Sequence, residues 1–118
     1  MYFMDCHLAG RKYYDVDEVW ENLKVGTELK LEHDTLNHYD PNAIEVIYES
    51  EGERYKLGYV PQEKNVVLAA FLQMGWDDVF ECRINKLDSE AYFEQQIRLT
   101  IRIRRNFQPA PFPDEPLP

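Results

Sequence analysis

Residues 31–61 restrict the fold more than any other part of the chain. The tetrapeptide Tyr39-Asp40-Pro41-Asn42 predicts a turn, because proline fixes its own φ while aspartate and asparagine bond to nearby backbone or tolerate a left-handed φ. Strands are predicted at residues 43–48 and 54–60, on either side of a second turn. A polar, aromatic loop held between strands is typical of a binding site.

Alternating apolar residues predict four more strands, at residues 2–8, 27–33, 79–87 and 92–104. A first helix is predicted to begin at Asp15 as N-cap, with Glu18 completing a capping box and Val16, Val19, Trp20 and Leu23 on its apolar face. A second helix is predicted over residues 61–74, with Pro61 at its first position. Its apolar stripe is predicted as Val67, Ala70, Phe71 and Met74, widened by Val66, Leu68 and Leu72.

This pattern predicts a mainly β fold with two helices, and leaves open a barrel or a layered α+β arrangement. Ten residues at core-facing positions are expected to be buried. They are Leu29, Leu31, Ile44, Val46, Leu57, Phe71, Ile84, Ile97, Leu99 and Ile101.

Composition bounds the class of protein. With 118 residues and a net charge of −9, the chain has the size of one domain and no general affinity for phosphate backbones. No apolar run is long enough for a membrane span or has the form of a signal peptide, so a cytoplasmic protein is expected. Cys6 and Cys82 lie in apolar strands without metal-binding spacing, which predicts free, buried thiols. A single long-range disulfide is the alternative.

Five of the seven prolines lie in residues 107–118. A proline-dense segment forms neither a helix nor a strand ladder, so we expect a disordered tail after a domain of residues 1–106. Deletion of residues 109–118 is expected to leave the melting temperature nearly unchanged.

Basic residues beside aromatic ones suit single-stranded nucleic acid, because bases stack on aromatic faces and cations hold phosphates. The candidates are Lys12, Tyr13, Tyr14, Tyr39 and Tyr59; ordinary strand packing is the other interpretation of these tyrosines. Arg98, Arg102 and Arg104, extended by Arg105, could supply phosphate contacts, although salt bridges to acidic strands are the favoured interpretation. No catalytic motif is present, so we expect neither an enzyme nor a cofactor.

Two stretches of the chain resemble the HIRAN domain family. They are Asn37-His38-Tyr39-Asp40-Pro41-Asn42-Ala43-Ile44-Glu45-Val46 and Leu57-Gly58-Tyr59-Val60-Pro61, and Gly10-Arg11-Lys12-Tyr13-Tyr14 is a third matching piece. The resemblance covers residues 2–104. It implies a small six-stranded barrel similar to an OB-fold.

The resemblance also implies a function, which is capture of a 3′-hydroxyl end of single-stranded DNA in repair or replication-fork processing. Lys12, Tyr13 and Tyr14 would line one side of the pocket, and Asn37, Tyr39 and Asp40 the other. A carboxylate there would accept a hydrogen bond from the hydroxyl and repel a terminal phosphate. A helicase or nuclease acting in trans is the expected partner.

Two alternatives remain open. A protein-interaction module could use the same pocket or the proline-rich tail, which the acidic charge favours. A metal-dependent hydrolase using His33, Asp34 and His38 is a weaker alternative, because these residues lie on one loop.

Overall fold

The computed structural model describes residues 2–104 and contains one six-stranded antiparallel sheet. The strands are β1 (Tyr2–His7), β2 (Glu28–His33), β3 (Ile44–Ser50), β4 (Glu53–Tyr59), β5 (Phe80–Leu87) and β6 (Ile97–Ile103). Their order in the sheet is β1-β6-β5-β2-β3-β4. The predicted mainly β fold class is confirmed.

The sheet curls until its two edges meet at one bridge. The Ala9 N–H donates to the Tyr59 carbonyl over 2.9 Å, and the Tyr59 N–H donates back to the Ala9 carbonyl over 2.9 Å. No continuous ladder closes the sheet within residues 2–104, and the arrangement is compatible with an OB-like fold. Gly58 permits this approach, because a Cβ at residue 58 would collide with the Ala9 carbonyl oxygen.

The residues that strand alternation predicts to lie in the core are nearly all buried. Nine of the ten residues expected to be buried are buried. The tenth, Phe71, is half-buried and packs against Phe80 at a ring-centroid distance of 5.7 Å. Cys6 and Cys82 are buried free thiols, as expected, and burial raises the pKa of Cys6 to about 11.

The first helix is shorter than predicted. Helix α1 covers Val16–Val19 and continues as a 3-10 turn at Trp20–Asn22. The predicted capping box is wrong: Asp15 makes no side-chain cap, because its Oδ2 accepts a hydrogen bond from the Lys56 N–H on β4 over 3.3 Å. Val16, Val19 and Leu23 are nevertheless buried, as their spacing predicts.

The second helix departs further from the prediction. A 3-10 turn at Gln62–Lys64 precedes helix α2, which covers only Val66–Gln73. Four residues of the predicted stripe, Val66, Val67, Ala70 and Met74, are exposed, so its centre is wrong. Phe71 is half-buried, and Leu68 and Leu72, which were predicted to widen the stripe, are buried. The buried residues of this helix are Leu68, Ala69 and Leu72, which share a face with Asn65 at the spacing i, i+3, i+4 and i+7.

Strand β6 begins five residues later than the predicted start at residue 92, after a 3-10 turn at Phe93–Gln95. The Gln96 side chain holds this loop together, because its Nε2 donates to the carbonyls of Ala91 at 2.8 Å and Ser89 at 3.3 Å. The predicted tail, residues 107–118, lies outside the described residues. Within residues 2–104, no helix combines the length and apolar character needed to cross a membrane.

Candidate nucleic-acid interface

Lys56 on β4 is the centre of a cluster of polar and aromatic side chains. Its Nζ lies 4.4 Å from the ring centroid of Tyr14 and 4.3 Å from that of Tyr59. The two rings meet edge to face, with centroids 5.7 Å apart. Both distances from the cation are within the range of a cation–π interaction, so the ammonium group attracts both rings.

Asp34, directly after β2, joins this cluster to the following loop. The Tyr59 hydroxyl donates to Asp34 Oδ2 over 2.7 Å and accepts from Lys56 Nζ at 2.6 Å. Asp34 Oδ1 accepts from the Leu36 N–H over 3.1 Å. Burial acts to raise the pKa of Asp34, but the hydrogen bonds from Tyr59 and Leu36 and the charge of Lys56 outweigh it, so this pKa is lowered.

The cluster carries more negative than positive charge. Glu45 on β3 lies 3.8 Å from Lys56 Nζ. Burial raises the pKa of Glu45, and the neighbouring Asp34 and Glu32 act in the same direction against the opposing effect of Lys56. The pKa of Tyr59 is raised above its ordinary value by burial and by its hydrogen bond to Asp34. One ammonium group therefore stands among several carboxylates at this surface.

The turn at residues 39–42 is held by side-chain amides and carboxylates. Asn37 Oδ1 accepts from the N–H groups of Tyr39 at 2.8 Å and Asp40 at 2.9 Å. Asp40 Oδ1 accepts from the Asn42 N–H over 2.9 Å, which is the local bonding expected of aspartate in a turn. Asp40 Oδ2 accepts from Nδ2 of Asn65, which is 1% exposed. The turn is thus fixed to the residue before α2.

The structure brings only some of the predicted site residues into contact. Tyr14 and Tyr59 pack together, whereas Asn37 and Asp40 belong to the turn that begins beyond Asp34. Tyr39 and Tyr13 present exposed rings, with 96% and 73% of their surface accessible. Lys12 lies in a 3-10 turn at Arg11–Tyr13, which directly precedes Tyr14.

Sequence reasoning missed Lys56 as a site residue and considered Asp34 only as a metal ligand. No local signal distinguishes Lys56 from the other charged residues of its strand. Asp34, however, is one of the turn-forming polar residues that follow a predicted strand, and its position close to the motif at residues 37–46 could have indicated it.

The metal alternative finds no support in the geometry. Among residues 2–104, no three His, Cys, Asp or Glu side chains are arranged to hold a metal ion. His33 instead donates from Nε2 to the Pro41 carbonyl over 2.7 Å.

The arginines in β6 and directly after it are not equivalent. Arg104 contacts Glu28 at 3.4 Å, as the salt-bridge interpretation predicts. In the described part of the chain, neither Arg98 nor Arg102 forms an ion pair. Arg105 lies outside the described residues.

The fold and this surface define a small OB-like β domain with a cluster of aromatic and charged side chains on its surface. The chain belongs to the HIRAN domain family, whose model matches residues 1–104. HIRAN domains are in general DNA-binding modules and are not themselves catalytic.

Two solved structures share the fold. A protein from Lactobacillus plantarum matches with a TM-score of 0.70 and 24% identity, over 86% of this chain and 91% of that one. The HIRAN domain of human HLTF matches with a TM-score of 0.56 and 19% identity, over 83% of this chain and 73% of that one. No curated protein matches the chain.

Proposed function

We propose that this domain binds single-stranded DNA and prefers a free 3′-hydroxyl end. The observation that carries the proposal is the cluster of Tyr14, Tyr59 and Lys56 with Asp34, in a chain of a DNA-binding family. Aromatic rings held in place offer stacking faces to bases without further loss of side-chain freedom. The domain would present such an end to a helicase or nuclease acting in trans during repair or fork processing.

The proposed site contains the seven residues expected from sequence together with two from the structure. They are Lys12, Tyr13, Tyr14, Asn37, Tyr39, Asp40 and Tyr59, with Lys56 and Asp34. Tyr14 and Tyr39 would stack on or flank the terminal bases, and Lys12 would contact the backbone.

The negative charge of the cluster supports selection of a hydroxyl end. Asp34 and Glu45 in the cluster, and Asp40 in the turn at residues 39–42, would repel a terminal phosphate, which carries up to two negative charges near neutral pH. A hydroxyl, in contrast, can donate a hydrogen bond to a carboxylate. Asp40 is the carboxylate that we assign to this role, because the turn fixes its orientation.

Fluorescence anisotropy with oligonucleotides ending in 3′-OH or 3′-phosphate, and with blunt duplex, at two salt concentrations, tests the proposal. The expected order of affinity is 3′-OH above 3′-phosphate above duplex. Equal, weak binding of all three would contradict end capture.

Matched variants assign the roles. Tyr39→Ala should weaken binding by roughly 1–3 kcal/mol, whereas Tyr39→Phe, which keeps the stacking face, should not. Asp40→Asn should reduce discrimination against a 3′-phosphate, with Asp77→Asn as the control of equal charge. Lys12→Ala should weaken binding to all ends alike and lower the salt slope by about one, with Lys30→Ala as its control.

A groove on another part of the surface favours the protein-interaction alternative. It lies between β2 and α2 and has a volume of about 530 Å³. Its lining includes the apolar Leu31 and Leu72, the acidic Asp77, and Glu32, which is paired with Lys30 and Arg54. The apolar floor could take an apolar side chain of a peptide, and Asp77, which has no ion pair among the described residues, could contact a basic one. Absence of oligonucleotide binding at low salt, together with binding of a lysine-rich peptide, would favour this second function.

A further inference from the structure

The outer face of β5, β6 and β1 carries cations that the end site does not use. Lys86 on β5 lies directly opposite Arg98 on β6, and Arg98 lies directly opposite His7 on β1. We call Lys86, Arg98 and His7 the basic row. The net charge of −9 is counted with histidine neutral, so Lys86 and Arg98 are the two cations of the row. Two cations facing each other on neighbouring strands of such a chain are a local exception that the average charge conceals.

A β-bulge creates this alignment. The register between β5 and β6 shifts after Ile84, so that Asn85 and Lys86 both stand opposite Arg98. Both side chains are therefore exposed, and Leu87 turns inward to pack against the core. Simple alternation after the buried Ile84 would instead have turned Lys86 inward and Leu87 outward.

The alignment of Lys86 with Arg98 lowers the stability of the protein when no ligand is bound. Like charges directly opposite each other on neighbouring strands destabilise a sheet. Within residues 2–104, Lys86 and Arg98 form no ion pair that would relieve this repulsion; His7 lies 3.5 Å from Glu94. The nearest carboxylate along β1 is that of Asp5, two residues before His7. Its Oδ1 accepts a hydrogen bond from the Thr100 hydroxyl over 2.8 Å, so Asp5 is directed to Thr100. An anion bound across the row would supply the missing negative charge.

The basic row and the end site lie on the same face of the sheet, with the Glu94 carboxylate between them. This carboxylate lies 3.5 Å from His7 and accepts from the Gly10 N–H over 3.3 Å. His7 and Ala9 flank the buried Leu8, so both lie on the outer face of the sheet. Ala9 pairs with Tyr59, which belongs to the aromatic cluster. Crossing from β5 through β6 and β1 to β4 takes three strand spacings, or about 14 Å, which is the length of a few nucleotides.

We propose that the basic row binds the phosphodiester backbone of the DNA strand whose 3′ end occupies the aromatic cluster, with Lys86 and Arg98 as the phosphate contacts. This inference rests on the proposed function and extends it from the terminal bases to the strand behind them. The acidic end site supplies hydroxyl selection, and the basic row supplies the electrostatic attraction that the end site lacks. Longer strands therefore bind more tightly than short ones.

The test compares 3′-OH oligonucleotides of about four and about 16 nucleotides, the range of site sizes for OB folds. The double variant Lys86→Ala/Arg98→Ala should bind the short strand like the wild type and lose the gain in affinity that the longer strand provides. Its salt slope for the long strand should fall by about 1.4, because each phosphate contact on a single strand contributes about 0.7. The control is Lys30→Ala/Arg54→Ala, which removes the same charge from the region of Glu32.

The outcomes separate the two proposals. If the wild type binds both lengths equally but prefers 3′-OH ends, the proposal for the basic row is overturned and end capture is still supported. A length-dependent gain without end preference, lost in the Lys86/Arg98 variant, would show that the basic row binds DNA by itself. It would refute end capture and, with it, the proposed link between the row and the aromatic cluster. An equal loss of affinity for the long strand in the control variant would show that net charge alone is responsible, and would overturn the proposal for the basic row. A wild type that binds neither strand would overturn both proposals.

Discussion

The Tyr59 hydroxyl donates a hydrogen bond to Asp34 Oδ2 over 2.7 Å, across the gap between the end of β4 and the loop after β2. These residues lie 25 positions apart in the chain. The same hydroxyl accepts from Lys56, so one oxygen atom connects a carboxylate to an ammonium group. The aromatic cluster and the loop that leads to the turn at residues 39–42 are therefore connected through a single side chain.

Tyr59→Phe should separate the cluster from the loop. The change removes both hydrogen bonds and keeps the ring, so we expect a loss of about 1–2 kcal/mol in the free energy of unfolding, measured by chemical denaturation. Tyr48→Phe is the control, because the described residues provide no hydrogen bond to the Tyr48 hydroxyl. Equal stability of the Tyr59 variant and the wild type would show that solvent replaces both bonds without cost.

Gly58→Ala should disrupt the meeting of the sheet edges. The added Cβ would collide with the Ala9 carbonyl oxygen, and the backbone cannot yield without breaking the bridge. We expect a loss of about 1–3 kcal/mol in the free energy of unfolding. Gly52→Asn in the β3–β4 turn is the control, because a Cβ there meets open space and asparagine tolerates a left-handed φ. A stable Gly58→Ala protein would contradict the close approach.

Glu45→Gln should stabilise the protein in a pH-dependent way. The folded-state pKa of Glu45 is raised, so its contribution to stability is present below the ordinary glutamate pKa of about 4.3 and lost as the pH rises through the raised value. At pH 7 the variant avoids that loss and should gain up to about 1 kcal/mol, a gain that disappears near pH 4. Denaturation at the two pH values measures the difference.

The exposed Glu90→Gln is the control for this pH series. It should show no comparable change between pH 4 and pH 7, because its side chain is solvated in both states. A loss of stability in Glu45→Gln at pH 7 would mean that the ion pair with Lys56 outweighs the burial of the carboxylate.

Asn65→Ala should loosen the turn at residues 39–42. It removes the amide that donates to Asp40 Oδ2 and leaves a small cavity, so we expect a loss of about 1–3 kcal/mol in stability. Discrimination between 3′-OH and 3′-phosphate ends should fall as well, because Asp40 loses its fixed orientation. Asn85→Ala, which removes an exposed amide bonded to Thr100, is the control. Unchanged end discrimination would separate Asn65 from the binding function.

The strands were predictable because alternation is a local property. Ile97, Leu99 and Ile101 alternate with Arg98, Thr100 and Arg102, and this pattern alone places the apolar side chains in the core. The motif at residues 37–46 likewise identified the turn, since proline, aspartate and asparagine impose their geometry within four residues.

The helices were less predictable because contacts distant in sequence decided them. Helix α2 contains a continuous apolar run from Val66 to Leu72, so its sequence pattern does not indicate which face is buried. The bond from Asn65 to Asp40 lies at the start of the face that is buried. Similarly, Asp15 has the right spacing for a capping box but bonds to Lys56, which lies 41 residues away. No local pattern contains either contact.

The candidate site was half predictable for the same reason. The tyrosines and the turn residues are visible as motifs, whereas Lys56 becomes part of the site only when β4 approaches Tyr14. The basic row was not predictable from the sequence, because simple alternation after Ile84 would turn Lys86 inward and only the bulge turns it outward.

The bridge between Ala9 and Tyr59 has a consequence for the motions of this domain. The two amides bond to each other's carbonyl, so one opening event exposes both to solvent and their hydrogen-exchange rates should be coupled. Tyr59 carries the ring that packs against Tyr14, so the same opening dismantles the aromatic cluster. A ligand that holds Tyr59 in place should therefore slow exchange at Ala9, an amide that it need not touch.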